Sequence, residues 1–261
     1  MFVHHIETIK NITKKLENRQ DVLAVILCGS IAHGFETERS DVDLMIVISD
    51  DSYRQRLKTG ELHYFETDAC TYETGYIDGK YISLEFIRQV AERGSEPARF
   101  AFEGARPTYS QIENIYELIQ KVVRYPVERK SENIMRFYAQ FEAWKWYCDE
   151  ALKQRNAYLL TRSVSNLILF SGRLILAFNE TLYPYHKWFL RVLEGVEQKP
   201  DGIMAHIQKL LNAPTDETVS VLYHSIRDFT KWDGSNLDWP AIFMKDSELN
   251  WLSGDISVAD L

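Results

Sequence analysis

Apolar side chains return along this chain with two different periods, and the change of period divides it. Ile6, Ile9, Ile12, Thr13 and Leu16 recur every three or four residues, the spacing of one face of an amphipathic helix over residues 2–18. Val22–Cys28 is a compact aliphatic run closed by Gly29, and Val42–Ile48 is a second, ended by the polar cluster Ser49-Asp50-Asp51-Ser52. Unbroken runs of this length predict strands covered on both faces. Further on, Thr71–Ile77 and Tyr81–Ile87 flank Asp78-Gly79, a turn dipeptide, so a hairpin is expected there. Ile82, Leu84 and Phe86 alternate with Tyr81, Ser83 and Glu85 in its second arm. A helix over 111–124 closes this half, and Pro126 with Glu128-Arg129-Lys130-Ser131 reads as a linker.

After residue 130 the period is helical throughout. Ile134, Phe137, Phe141, Trp144, Cys148 and Ala151 mark one long helix, and Leu160, Val164, Leu167, Ser171, Leu174 and Phe178 a second. Val219, Leu222, Ile226 and Phe229 mark a third, with shorter pieces around Trp188–Leu193 and Ile203–Leu211. Successive amphipathic helices with short connections bury their stripes against one another, so a bundle is expected. The predicted fold class is α+β: a small mixed-sheet domain over residues 1–125, then an all-α helical bundle domain over 130–261.

Composition narrows the picture. Of 261 residues, 45% are hydrophobic and 26% charged, the proportions of a globular chain rather than a disordered one. Twelve glycines and seven prolines make about 7% of the chain where roughly 12% is usual, which favours long helices. The net charge of −8 and the lack of any Lys/Arg-rich run argue against a dedicated polynucleotide binder, which draws most of its affinity from phosphate contacts. Three scattered cysteines, Cys28, Cys70 and Cys148, form neither a disulfide framework nor a zinc spacing. The first sixteen residues carry two histidines (His4-His5, expected to be exposed), Glu7 and three lysines, without the apolar core of a signal peptide. No uninterrupted apolar run spans a bilayer. A cytoplasmic protein without membrane contact is expected, and a homodimer is left open.

One constellation carries chemistry. Gly29-Ser30-Ile31-Ala32-His33-Gly34 is followed, after six residues, by Asp41-Val42-Asp43-Leu44. If the two aliphatic strands are antiparallel neighbours, the end of the first and the start of the second share one edge of the sheet. Gly29 removes a side chain there, so backbone N–H groups can approach a phosphate, and Ser30 adds a hydroxyl donor. Asp41 and Asp43, two apart on a strand, point to one face while Val42 and Leu44 point to the core. Paired carboxylates suit magnesium, which takes oxygen ligands and keeps positions open for substrate phosphates. A pair of such ions suits an in-line phosphoryl or nucleotidyl displacement. His33 reads as a structural or phosphate-side hydrogen-bonding residue.

Gly29-Ser30, the spacer and Asp41-Val42-Asp43 resemble the signature of the DNA polymerase beta-like nucleotidyltransferase superfamily, over roughly residues 20–90. That resemblance implies a third carboxylate from a later strand, flanked by apolar residues; Leu84-Glu85-Phe86 fits, with Glu73 as a rival. It implies magnesium, two ions, held by Asp41, Asp43 and Glu85 as metal and catalytic residues, with Gly29 and Ser30 on the triphosphate. Beyond residue 130 the chain is similar in architecture to bacterial nucleotidyltransferases acting on aminoglycosides or lincosamides, and Asn179–Trp188 looks like a segment found in such members. There, with Pro184 expected in the first turn of a helix, Lys187 is the candidate to neutralise the triphosphate. Glu142 reads as part of a solvated helix face, with an acceptor-deprotonating role as the rival reading. The resemblance implies transfer of a nucleoside monophosphate from a nucleoside triphosphate, ATP by abundance, to a hydroxyl of a small-molecule acceptor, with pyrophosphate released. Two alternatives are a protein-AMPylating enzyme and a catalytically degenerate module of regulatory or antitoxin type.

Overall fold

The stripe near the N-terminus winds into α1 (Val3–Leu16), which buries His5, Thr8, Ile9, Ile12, Thr13 and Leu16 on one side. In a computed structural model describing residues 1–254, this helix belongs to the first of two compact units, Met1–Arg124; the second runs from Tyr125 onward. Residues 255–261 of the expected bundle lie outside the described residues.

The first unit is built on a mixed sheet. Its strands are β1 (Val22–Cys28), β2 (Val42–Ile48), β3 (His63–Glu66), β4 (Ile77–Ile82) and β5 (Arg106–Ser110), in the spatial order β3-β4-β2-β1-β5. β2 runs antiparallel to β1 and parallel to β4, while β3 and β5 are antiparallel edges. The aliphatic runs are continuous because both faces are covered. Val25, Leu27, Leu44, Ile46 and Ile48 pack with Ile9, Ile12 and Leu16 of α1. Ala24, Ile26, Met45 and Val47 pack on the other face against α4 (Leu84–Arg93) and α6 (Ile115–Val122). Three short helices complete the unit: α2 (Gly29–His33), α3 (Asp50–Thr59) and α5 (Glu96–Phe100).

The expected hairpin does not form. β4 runs straight through Asp78-Gly79, and a β-carbon on Gly79 would come within 3.2 Å of the Leu44 carbonyl oxygen. The glycine answers the close approach of neighbouring backbone inside the sheet, not a turn. The expected second arm is helical beyond Ile82: the Ser83 hydroxyl accepts from the Phe86 amide at 3.0 Å and caps α4, which buries Ile87 and Val90. A satisfied cap and a three-residue stripe outweigh the alternation of Ile82, Leu84 and Phe86. His5, expected at the surface, is fully buried, its Nε2 bonded to the Ser40 carbonyl at 3.0 Å.

The second unit is all helix. α7 (Lys130–Gln154) and α8 (Ala157–Phe178) are joined by Arg155 and Asn156, with Arg155 in the left-handed region at φ 54°. α9 (Phe189–Gly195), α10 (Ile203–Asn212), α11 (Asp216–Arg227) and α12 (Trp239–Ser247) follow. α8 is long and apolar enough to cross a membrane, yet 72% of its apolar stretch is buried in this unit, as in the core helix of a bundle. Leu167, Leu174 and Ile175 of α8 pack with Phe137 and Phe141 of α7 and with Leu193, Leu210 and Leu222. The guanidinium of Arg173, fully buried, lies 4.3 Å from the ring centroids of both Phe137 and Tyr183.

Candidate functional site

β1 ends and β2 begins at the same edge, because the antiparallel register pairs Cys28 with Asp43. The parallel register of β2 with β4 then sets Asp78 beside Asp43, so Cys28, Asp43 and Asp78 form one row across three strands. Asp41 lies just before β2. One oxygen from each of Asp41, Asp43 and Asp78 falls within 4.8 Å of the other two, and all three residues are half-buried.

Backbone geometry holds this edge open. Gly29 has φ +66°, and a β-carbon there would fall 1.8 Å from Asp43 Oδ2, so no side chain fits between the end of β1 and the carboxylate. α2 starts at Gly29, and the Ser30 hydroxyl behind it is buried without a hydrogen-bond partner among the described residues. His63 Nε2 donates to Asp78 Oδ1 at 2.8 Å from the neighbouring edge strand. The Tyr76 hydroxyl donates to Asp41.

The charges show in the neighbouring acids. The carboxylate of Asp41, and the hydrogen bond to it, hold the Tyr76 hydroxyl above its usual range, with Asp43 and Asp78 adding to the effect. Burial, and after it Asp43, pushes the Cys28 thiol up to about 12, so it stays protonated at neutral pH and is not a nucleophile. His33 stacks on Phe100, centroids 4.5 Å apart, and burial pushes its imidazole down to about 4. It is a neutral ring at pH 7.

The structure separates the expected residues. Gly29, Ser30, Asp41 and Asp43 come together. Glu85 does not join them: it sits exposed in the first turn of α4, accepts from Gln89 Nε2 at 3.1 Å, and lies 3.9 Å from Arg88. Its segment leaves the sheet after Ile82, which pairs with Val47, four residues or about 13 Å along β2 from Asp43. The carboxylate that faces Asp41 and Asp43 is Asp78, in the dipeptide read as a turn. Glu73, the rival, is exposed in the loop before β4 and outside the cluster. Lys187 belongs to the second unit, exposed in the 3-10 turn His186–Trp188, with Nζ 5.1 Å from the Trp188 ring. Pro184 precedes that turn and starts no helix; Tyr185 between them has φ 66°. Glu142 accepts from the Tyr223 hydroxyl at 3.0 Å and from Tyr138, a local network within the helical unit.

A strand through Asp78 was compatible with the sequence, although nothing local favoured Asp78 over Glu85. Ile77 and Tyr81 fall on one face of a strand and Asp78 and Lys80 on the other, the pattern of a carboxylate between apolar neighbours.

Residues 10–94, which hold the whole cluster, match the family described as polymerase beta, nucleotidyltransferase. This segment is a nucleotidyltransferase domain. Among solved structures, the chain is similar to a nucleotidyltransferase-like protein from Exiguobacterium sibiricum 255-15, with 10% identity, 95% of this chain and 79% of that chain covered, and a TM-score of 0.48. It is also similar to spectinomycin adenyltransferase AAD(9) from Enterococcus faecialis, solved with ATP and spectinomycin, with 13% identity, 96% and 97% covered, and a TM-score of 0.31. No curated protein matches the chain. The nucleotidyltransferase domain thus brings a three-carboxylate edge and a side-chain-free turn to one place.

Proposed function

We propose that this chain transfers a nucleoside monophosphate from a nucleoside triphosphate, ATP by abundance, to a hydroxyl of a small-molecule acceptor, and releases pyrophosphate. The observation that carries the reading is the convergence of Asp41, Asp43 and Asp78 beside Gly29 and Ser30. The donor set fits magnesium: three carboxylate oxygens within reach of one ion, no nitrogen or sulfur among them, and an open turn alongside. Asp41, Asp43 and Asp78 are the residues to hold it, and magnesium would supply charge neutralisation for the phosphates of the donor.

The chain's own groups do the rest. Gly29 lets backbone N–H groups approach the triphosphate, and the buried Ser30 hydroxyl has a donor to spend on a phosphate oxygen. Asp78, anchored through one oxygen by His63, takes the proton of the acceptor hydroxyl. A bond then forms between the acceptor oxygen and the α-phosphorus, the bond from that phosphorus to the bridging oxygen breaks, and pyrophosphate leaves.

Pyrophosphate release with magnesium, ATP and a panel of hydroxylated acceptors tests this. Asp43→Asn and Asp78→Asn should each lower turnover by on the order of 10²-fold or more with the fold intact by circular dichroism. Glu85→Gln should stay within about threefold of wild type, since loss of an exposed carboxylate at the far end of the strands touches no reacting atom. Unchanged release in Asp43→Asn would sink the site. A folded wild type that binds no nucleotide by calorimetry would point to the degenerate module.

A further inference from the structure

A cavity of about 440 Å³ opens within the helical unit, between α7, α8, α12 and the 3-10 turn Asn250–Leu252. Its apolar wall is aromatic. Trp144 and Tyr147 of α7 have ring centroids 5.2 Å apart, and Phe243 of α12 lies 6.4 Å from the first and 6.1 Å from the second. α8 contributes Arg162 and Asn166, four residues apart and therefore neighbours on one helix face. The Arg162 guanidinium carbon is 5.8 Å from the centroid of Trp144.

Four polar residues around this cavity, Gln140, Trp144, Asp246 and Ser247, are paired within the protein, and one buried donor of the lining is the exception. Gln140 Nε2 donates to Ser247 Oγ at 2.6 Å, and Gln140 Oε1 accepts from Trp144 Nε1 at 3.0 Å. The Asp246 carboxylate accepts from Arg136 Nε at 2.9 Å, which matches its charge. The exception is Asn166. It is 7% exposed, and its amide nitrogen is buried without a hydrogen-bond partner among the described residues. An unpaired buried donor costs about 1–3 kcal/mol, and a leucine would fit the apolar neighbourhood of α8 without that cost.

We infer that this cavity binds a planar aromatic carboxylate, with its ring against Trp144, Tyr147 and Phe243 and its carboxylate between Arg162 and Asn166. Aromatic faces recognise the ring, and two donors one helical turn apart recognise the anion. The buried carboxylate of the lining, Asp246, is already spent on Arg136, and the other, Glu248, is exposed to solvent, which leaves the fixed donors in control of the buried wall. The volume lies within the roughly 300–1,000 Å³ typical of small-molecule pockets. All of these residues belong to the helical unit, and none belongs to the carboxylate cluster of the nucleotidyltransferase domain.

The probe is 2-naphthoate, titrated into the full-length protein by calorimetry, with 2-naphthylmethylamine as the same ring carrying a positive charge. Saturable one-to-one binding of the naphthoate is expected, with the amine at least about tenfold weaker. Arg162→Ala, an exposed change that leaves the core untouched, and Asn166→Leu should each weaken the naphthoate at least about tenfold while circular dichroism stays unchanged. Absence of saturable naphthoate binding, affinity unchanged in both variants, or an amine that binds as tightly as the naphthoate would each overturn the inference.

Discussion

At Gly29 the missing side chain is the feature that matters, since any β-carbon would collide with Asp43 at 1.8 Å and the backbone is held at φ +66°. Gly29→Ala therefore combines a left-handed strain of about 1 kcal/mol or more with displacement of a carboxylate. A lower melting temperature together with loss of nucleotide turnover is expected. Wild-type activity in that variant would show that Asp43 need not stay where it is. His33 offers a second test at this scale, through pH. Burial lowers its pKa from 6.5 to about 4, so between those values the unfolded chain binds a proton that the folded chain refuses. Its contribution to stability is complete above about 6.5 and is lost as pH falls towards 4. His33→Phe keeps a ring against Phe100 and removes the titration, so its melting temperature should drop less than that of wild type between pH 7 and pH 4.5. Equal drops would remove His33 from the account.

Among elements, the first helix, the helices after residue 130 up to α11 and the two central strands were legible because burial imposes a period on the sequence, whereas α3, α5 and α12 were not. Val22–Cys28 and Val42–Ile48 have no polar residue between Leu44 and Ile48 or anywhere in the first run, and each is covered on both faces. The edge strands were not legible. β3 and β5 are four and five residues long, half-exposed, and defined by hydrogen bonds to a neighbour rather than by a pattern of their own. The second arm of the expected hairpin was misread for a related reason: over residues 81–87 a strand alternation and a helical stripe both fit, and the Ser83 cap decides between them. Ser83→Ala should cost about 1 kcal/mol of stability in denaturant unfolding and leave the carboxylate edge, at the other end of β4, in place. A neutral result would mean that packing of Ile87 and Val90 alone sets the start of α4.

For the whole molecule, the switch from mixed to purely helical periodicity matches two ways of building a core. In the first unit a sheet divides the buried side chains into two layers, with α1 on one face and α4 and α6 on the other. In the second a single cluster surrounds α8, whose apolar length alone would also suit a membrane. What the sequence determined by itself was local and repetitive: which segments are helix or buried strand, and that Gly29-Ser30 and Asp41-Val42-Asp43 stand at the ends of two adjacent runs. These follow from short-range sterics and from the need to turn apolar side chains inward, and both leave a periodic trace. The partner of that aspartate pair was decided only by tertiary structure. Asp78 is 35 positions beyond Asp43 and reaches it because β4 pairs with β2 in parallel, whereas Glu85, with a more persuasive local context, is carried away by a helix. Strand pairing is a long-range choice made by hydrogen bonds and packing across the sheet, and nothing in the six residues between Asp78 and Glu85 encodes it.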